Sequence, residues 1–217
     1  FNASTRLGGI SQNAAVATLS AMALQLAGVP VRYFACKAGL ERCTLGVVIN
    51  GADNAPPCKT CIEQSEVLFA NAPTRWFQFR EDSELEGALK GLSVGEMEEF
   101  VFSLPPSPPA PPPKGEGSPD SLSLRERVGV REIPLGPLTL PSLRWTLRTH
   151  TLPDGEPTRA LFHAFIRSAY NVAQQFAAFL DETGPQSVVV FNGVSYPEAV
   201  ARWVAGAVAA FAHARVG

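Results

Sequence analysis

Residues 187–197 read SVVVFNGVSYP, and this stretch decides the fold. Val188, Val189, Val190 and Phe191 form an unbroken β-branched and aromatic run. A strand that is apolar at every position is one buried on both faces, which predicts a parallel sheet sandwiched between helices. Asn192-Gly193 stops the run, and a helical pattern opens at Glu198. In open α/β sheets, ligands sit just beyond the carboxyl ends of the strands. Asn192 and Gly193 are therefore the first candidate ligand-binding residues, lining a cleft with a side-chain amide and a bare backbone. The plainer reading of the same pair is an ordinary strand-to-helix turn.

Upstream, residues 157–183 carry the longest helical pattern in the chain. Leu161, Phe165, Ala169, Val172, Phe176 and Phe179 keep helical spacing on one face, and Gly184-Pro185 ends it. A long helix, a tight turn and a buried strand make the α-to-β step of a doubly wound sheet. The amino-terminal part repeats the logic. Gly8-Gly9 precede a helix predicted over residues 12–26 with Ser11 as its cap. Gly28 closes it, and residues 31–35 (VRYFA) form a short strand. This is a βαβ unit whose first strand would lie mostly before residue 1. Further on, the pattern predicts a helix over 59–70, a strand over 74–79 and a short helix over 81–92. An extended piece at 100–103 and a helix opening near Pro141-Ser142 follow. The expected fold is a Rossmann-like parallel sheet with helices on both faces.

Composition bounds the function. The 217 residues are 46% hydrophobic and 18% charged, with a net charge of −2. Such a chain can bury a sizeable core, and it lacks the basic bulk by which proteins hold nucleic acid. No signal peptide is visible. The apolar stretch 199–216 is interrupted by Arg202, His213 and Arg215 and is too short for a membrane span, so a cytoplasmic location is expected. The chain opens on Phe1 rather than Met and stops at Gly217 directly after an apolar helical pattern, which reads as a fragment of a longer protein. Between residues 105 and 131 the composition changes to PPSPPAPPPKGEGSPDSLSLRERVGVR. That segment cannot bury enough apolar area to offset its ordering entropy and reads as an inserted, mostly disordered loop of polyproline II character. Docking to SH3-like or WW-like domains is the functional alternative. Without it, FVFSLP runs directly into EIPLGPL, leaving 1–104 and 132–217 as one domain.

Several stretches could carry chemistry. The cysteines read Cys36-x6-Cys43-x14-Cys58-x2-Cys61. The close Cys58 and Cys61 pair has zinc-knuckle spacing, and Cys36 with Cys43 would complete a four-sulfur structural zinc site. Reduced structural thiols are the equal alternative, with disulfide or redox roles behind both. Gly8 and Gly9 would let a phosphate or carboxylate approach the backbone and the helix N-terminus, or would simply make a tight turn. LGGIS is not GxGxxG, so no nicotinamide or flavin is expected. Arg144, Arg148 and His150 flank Trp145 and could grip a phosphate, although a solvated face explains them more simply. His163 falls beside the apolar stripe of the long helix, as packed core histidines do. No Ser-His-Asp order, HExxH or P-loop occurs.

Taken in order, LQLAGVPVRYFAC, CTLG, PPCKTCI, PLGPLTLPSLRWTLRTH and SVVVFNG resemble the N-terminal half of bacterial capsule-polysaccharide-biosynthesis or glycosyltransferase-like proteins. The resemblance covers most of the chain outside 105–131. It implies a GT-B arrangement, in which two Rossmann-like domains face each other across a cleft. The N-terminal half would handle a glycan acceptor, and a C-terminal half, not included here, would bind the nucleotide-sugar donor. The cleft residues would be Gly8, Gly9, Asn192 and Gly193, with no catalytic base assignable, and the fragment would be inactive alone. Two other readings stay open: a metal-stabilised α/β interaction module without catalysis, and another two-Rossmann sugar-nucleotide enzyme such as an epimerase.

Overall fold

A computed structural model describes residues 1, 11–43, 56–104 and 131–213. Helix α1 (Gln12–Leu26) starts where predicted: the Ser11 hydroxyl accepts from the Ala14 amide at 3.1 Å, satisfying one of the four orphan N–H groups of a helix start. Gly28, at φ +80°, turns the chain out of it. Then follow β1 (Tyr33–Cys36), α2 (Cys58–Leu68), β2 (Thr74–Phe77), α3 (Ser83–Leu89) and α4 (Val94–Glu98). Ser93 and Glu96 close a reciprocal capping box at the start of α4. The chain continues through β3 (Phe102–Leu104), β4 (Arg131–Ile133), α5 (Leu135–Leu147), α6 (Glu156–Thr183) and α7 (Glu198–His213).

Strands β1 and β2 pair in parallel, with Tyr33 opposite Thr74 and Cys36 opposite Phe77. Side chains alternate across a strand, and both faces of β1 are covered. Phe34 faces α6, where its ring lies 4.9 Å from Phe77, 5.0 Å from Phe176 and 5.3 Å from Phe179. Tyr33 and Ala35 face the other way and pack with Ala21 of α1 and with Phe69 just past α2. Fully burying one such aromatic side chain contributes roughly 1.5–3 kcal/mol, so this stack anchors the parallel pair.

Helix α6 runs antiparallel to β2. Glu182 near its end pairs with Arg75 near the start of β2 (3.3 Å), and Gln175 reaches the Gln78 carbonyl just past that strand (2.6 Å). Beyond the sheet, α6 packs against α4, α5 and α7. Gly184, at φ +50°, ends it in the left-handed cap that glycine favours.

The run 187–191 departs from expectation. It carries no strand ladder among the described residues; the Val189 carbonyl accepts from the Phe1 ammonium (3.0 Å). Val188 and Val190 pack on the core, whereas Val189 is 48% exposed. Burial of both faces needs cover on both sides, and the described elements cover one. The doubly covered strand is instead β1. The fold is mixed α/β with a two-stranded parallel pair, and no full Rossmann sheet is evident among the described residues.

Several boundaries also move: the strand expected over 74–79 ends at Phe77, and the helix expected over 81–92 covers Ser83–Leu89. Helix α5 begins at Leu135 and keeps Pro141 in its interior; proline's preference for first turns had suggested a start at 141. Arg131 belongs to β4, which pairs antiparallel with β3, Leu104 opposite Arg131. The predicted inserted loop otherwise lies outside the described residues. No helix among the described residues is long and apolar enough to cross a membrane.

Candidate functional site

The loops beyond the carboxyl ends of β1 and β2 are fixed by one buried side chain, Asn171 of α6. Its amide nitrogen donates to the Gly39 carbonyl (2.9 Å) and to the Gln78 carbonyl (3.1 Å). Its oxygen accepts from the Arg80 amide (3.1 Å) and from Gln175 (2.7 Å). One turn earlier, the Ser168 hydroxyl accepts from the Glu41 amide (2.9 Å). Arg167 bridges the Glu41 carboxylate after β1 and the Glu86 carboxylate of α3 (2.8 Å). Gly39 is required there, because a Cβ would lie 2.8 Å from the Phe77 carbonyl and collide with its ring.

The turn after Phe191 joins the same end of the molecule. Asn192 and Gly193 both take left-handed backbone, φ +39° and +64°. Asn192 tolerates it because its side-chain oxygen accepts from the Val194 amide (3.1 Å), an Asx turn. Gly193 lies against the Arg202 side chain, where a Cβ would be 2.6 Å from Cδ. Asn192 itself is exposed while Gly193 is buried. Tyr196, fully buried, ties this turn to the first loop: its hydroxyl donates to the Arg42 carbonyl and its amide to the Ser142 hydroxyl (2.9 Å). Burial raises that phenol well above its ordinary pKa, with the Cys43 thiol adding to the effect.

No disulfide joins any two of the four cysteines, and all four are half-buried. Cys36 closes β1, and its sulfur accepts from the Gly39 amide at 3.3 Å. Ala38, at φ +56°, turns the backbone so that this amide faces back. Cys58 opens α2 and Cys61 follows one turn later. Burial pushes the Cys36 thiol above its ordinary range, opposed by the Gly39 amide, with the thiols of Cys43, Cys61 and Cys58 adding smaller effects in the same sense as burial. Burial, then Cys61, likewise raises Cys58. Among the described residues, no three histidine, cysteine, aspartate or glutamate side chains stand at metal-ligating spacing.

Of the predicted site residues, Cys36 stands at the end of β1 and Cys58 and Cys61 in the first turn of α2, and Tyr196 joins the loop holding Cys43 to the Asn192-Gly193 turn. Gly8 and Gly9 lie outside the described residues. The suggested phosphate grip is not assembled: Arg144 is paired with Glu98 (3.2 Å), and Arg148 stacks on Trp145, 4.6 Å from the ring centre. The His163 Nε2 is buried without a hydrogen-bond partner, and burial, then the charge of Arg167, lowers its pKa. Sequence reading missed Arg167, Ser168, Asn171 and Gln175. Their signal was present as polar residues at helical spacing along the edge of an otherwise apolar stripe. Among the described residues the arrangement offers half-buried thiols and an exposed Asn192 amide. No protein-family model, curated protein or solved structure was found to match this chain.

Proposed function

We propose that this chain is the acceptor-side domain of a two-domain glycosyltransferase that builds a surface or capsular polysaccharide, inactive without the domain that binds its nucleotide-sugar donor. The observation that carries the reading is the left-handed Asn192-Gly193 turn, held by Tyr196 beside the loop that leaves the buried parallel strand β1. Ligands of α/β proteins collect at such carboxyl-end loops. An exposed Asn amide, donor and acceptor at once, suits sugar hydroxyls, and the absence of a GxGxxG turn fits a domain that does not hold the nucleotide.

The test is an NMR titration of the ¹⁵N-labelled chain with tetrasaccharide fragments of capsular polysaccharides and, separately, with UDP. The expected result is movement of the Asn192, Gly193 and Val194 amides with the oligosaccharides and none with UDP. Movement with UDP alone would replace this reading by the epimerase-like one, and silence with both would end it.

A further inference from the structure

We propose that the outward face of α1 is a dimerisation seam, and that its occupant is the α1 helix of a second copy of this chain. The inference does not depend on the glycosyltransferase reading. The inner face of α1 is made of small residues: Ala14, Thr18 and Ala21 are buried, and Ala21 packs with Tyr33 and Ala35 of β1. Opposite them stand Val16, Leu19, Ala23 and Leu26, all exposed. Their spacing of three, four and three residues is the a/d repeat of a coiled-coil seam. Leu19 is 67% exposed and Leu26 91%, with Val16 at 39% and Met22, beside the stripe, at 42%. No Asp, Glu, Lys or Arg occurs between Arg6 and Arg32. A helix that is apolar all round is normally covered all round, yet among the described residues only the inner face of α1 is covered. At 15 residues, α1 is too short to cross a bilayer.

The stripe selects its own occupant. A seam with a/d spacing takes another helix, and one without charges disfavours a charged partner, whose groups would be desolvated with nothing to pair them. A second α1 meets both requirements. When two copies run antiparallel about a two-fold level with Ala21, Leu19 of each comes opposite Ala23 of the other, so the leucine fills the space beside a methyl group, and Val16 comes opposite Leu26. The same orientation sets the N-terminus of each helix beside the C-terminus of the other, as the helix dipoles favour. With side chains of about 150–200 Å², the measured exposures leave roughly 400–500 Å² of apolar surface per copy and about 900 Å² in a pair before any rim is counted, close to the ~1,000 Å² at which specific interfaces begin. Because each copy offers the same patch, the contact closes on itself and gives dimers, not chains.

The experiment is sedimentation equilibrium on the full chain from about 1 to about 300 µM, the range in which a small interface associates. The weight-average mass is expected to rise from 23.2 kDa toward twice that value. Leu19→Glu and Leu26→Glu should each hold it at 23.2 kDa throughout, with an unaltered circular dichroism spectrum, because both side chains already stand in solvent in the single chain. Should Leu19→Glu fail to fold, Leu26→Glu decides, since that side chain is almost wholly exposed. Val101→Glu, at an exposed valine next to β3, should dimerise as the unaltered chain does. A mass of 23.2 kDa at every concentration would overturn the proposal and leave the stripe to a different protein. So would a dimer that survives both α1 substitutions, or one that Val101→Glu also abolishes. Flotation of a monomeric chain with phosphatidylcholine vesicles, lost in Leu26→Glu, would overturn it by giving the stripe to a lipid surface.

Discussion

Replacing Asn171 by Ala should loosen both strand-end loops at once. Asn171 is 2% exposed, and three of its hydrogen bonds join α6 to Gly39, Gln78 and Arg80. The Gly39 carbonyl is in the fully buried bond, and leaving such a group unpaired costs about 1–3 kcal/mol. The Arg80 amide and the Gln78 carbonyl belong to exposed residues that water can reach, so each lost bond there costs roughly 0.5–1.5 kcal/mol. Gln78 also keeps its bond from Gln175, which places it at the low end. The total is about 3 kcal/mol. For a chain of this size that corresponds to a fall in Tm of roughly 6–12 °C. Differential scanning calorimetry on Asn171→Ala and on Gln175→Ala would measure it, the second variant being expected to lose less than about 1 kcal/mol because its bonds are at the surface. A loss under about 1 kcal/mol for Asn171→Ala would refute the view that one amide organises these loops.

Gly136→Ala should be poorly tolerated: its Cβ would run into the Met97 carbonyl and come within 2.8 Å of the Phe100 amide, so α4 or α5 must shift, and we expect a loss of about 1–3 kcal/mol or more in chemical denaturation. His163 is held below its ordinary pKa by burial first and Arg167 second, so the unfolded chain takes up the proton before the folded one. Stability is then highest above about pH 6.5 and falls as the pH drops from there toward the lowered value. Urea titrations across that window should show the fall, and His163→Gln should flatten it; an unchanged slope would exclude His163 as its source. Replacing residues 105–130 by Asn-Gly, a dipeptide suited to a two-residue hairpin, should leave Tm unchanged or raise it, since a shorter closure costs less entropy. A drop beyond roughly 5 °C, about 1–2 kcal/mol for a domain this size, would mean that the segment packs on the fold.

Local signals were legible wherever the physics is local. Ser11, the helix after it and Gly28 were readable because caps and left-handed glycines act within a few residues. The strand opening at Thr74, though not its end at Phe77, and the long helix to Thr183 were readable from periodicity. The run at 188–191 was not, because four apolar residues in a row do not say which neighbours cover them. Burial on both faces belongs to Tyr33–Cys36, a less conspicuous stretch, because α1, α2 and α6 happen to enclose it. Pro141 misled for a related reason: its usual place is a first turn, yet α5 keeps it in the interior. The cysteine spacing was visible in the chain, yet among the described residues it assembles no group of three metal-ligating side chains. Asn171 went unread because a polar residue beside an apolar stripe looks like solvent-facing boundary until the loops it holds are known.

The short ladder of β3 with β4 has a consequence for how this chain tolerates change. Leu104 and Arg131 are direct partners, while Leu104 and Ile133 are anchored in the core. Chain length between them can therefore vary without changing where the flanking backbone enters or leaves the domain. The pair works like the two jaws of a clothes-peg, holding whatever sequence is threaded through it. This makes residues 105–130 the natural position at which to graft a reporter, an affinity tag or a foreign domain, and the point at which inserted sequence could accumulate while the hydrophobic core stayed as it was.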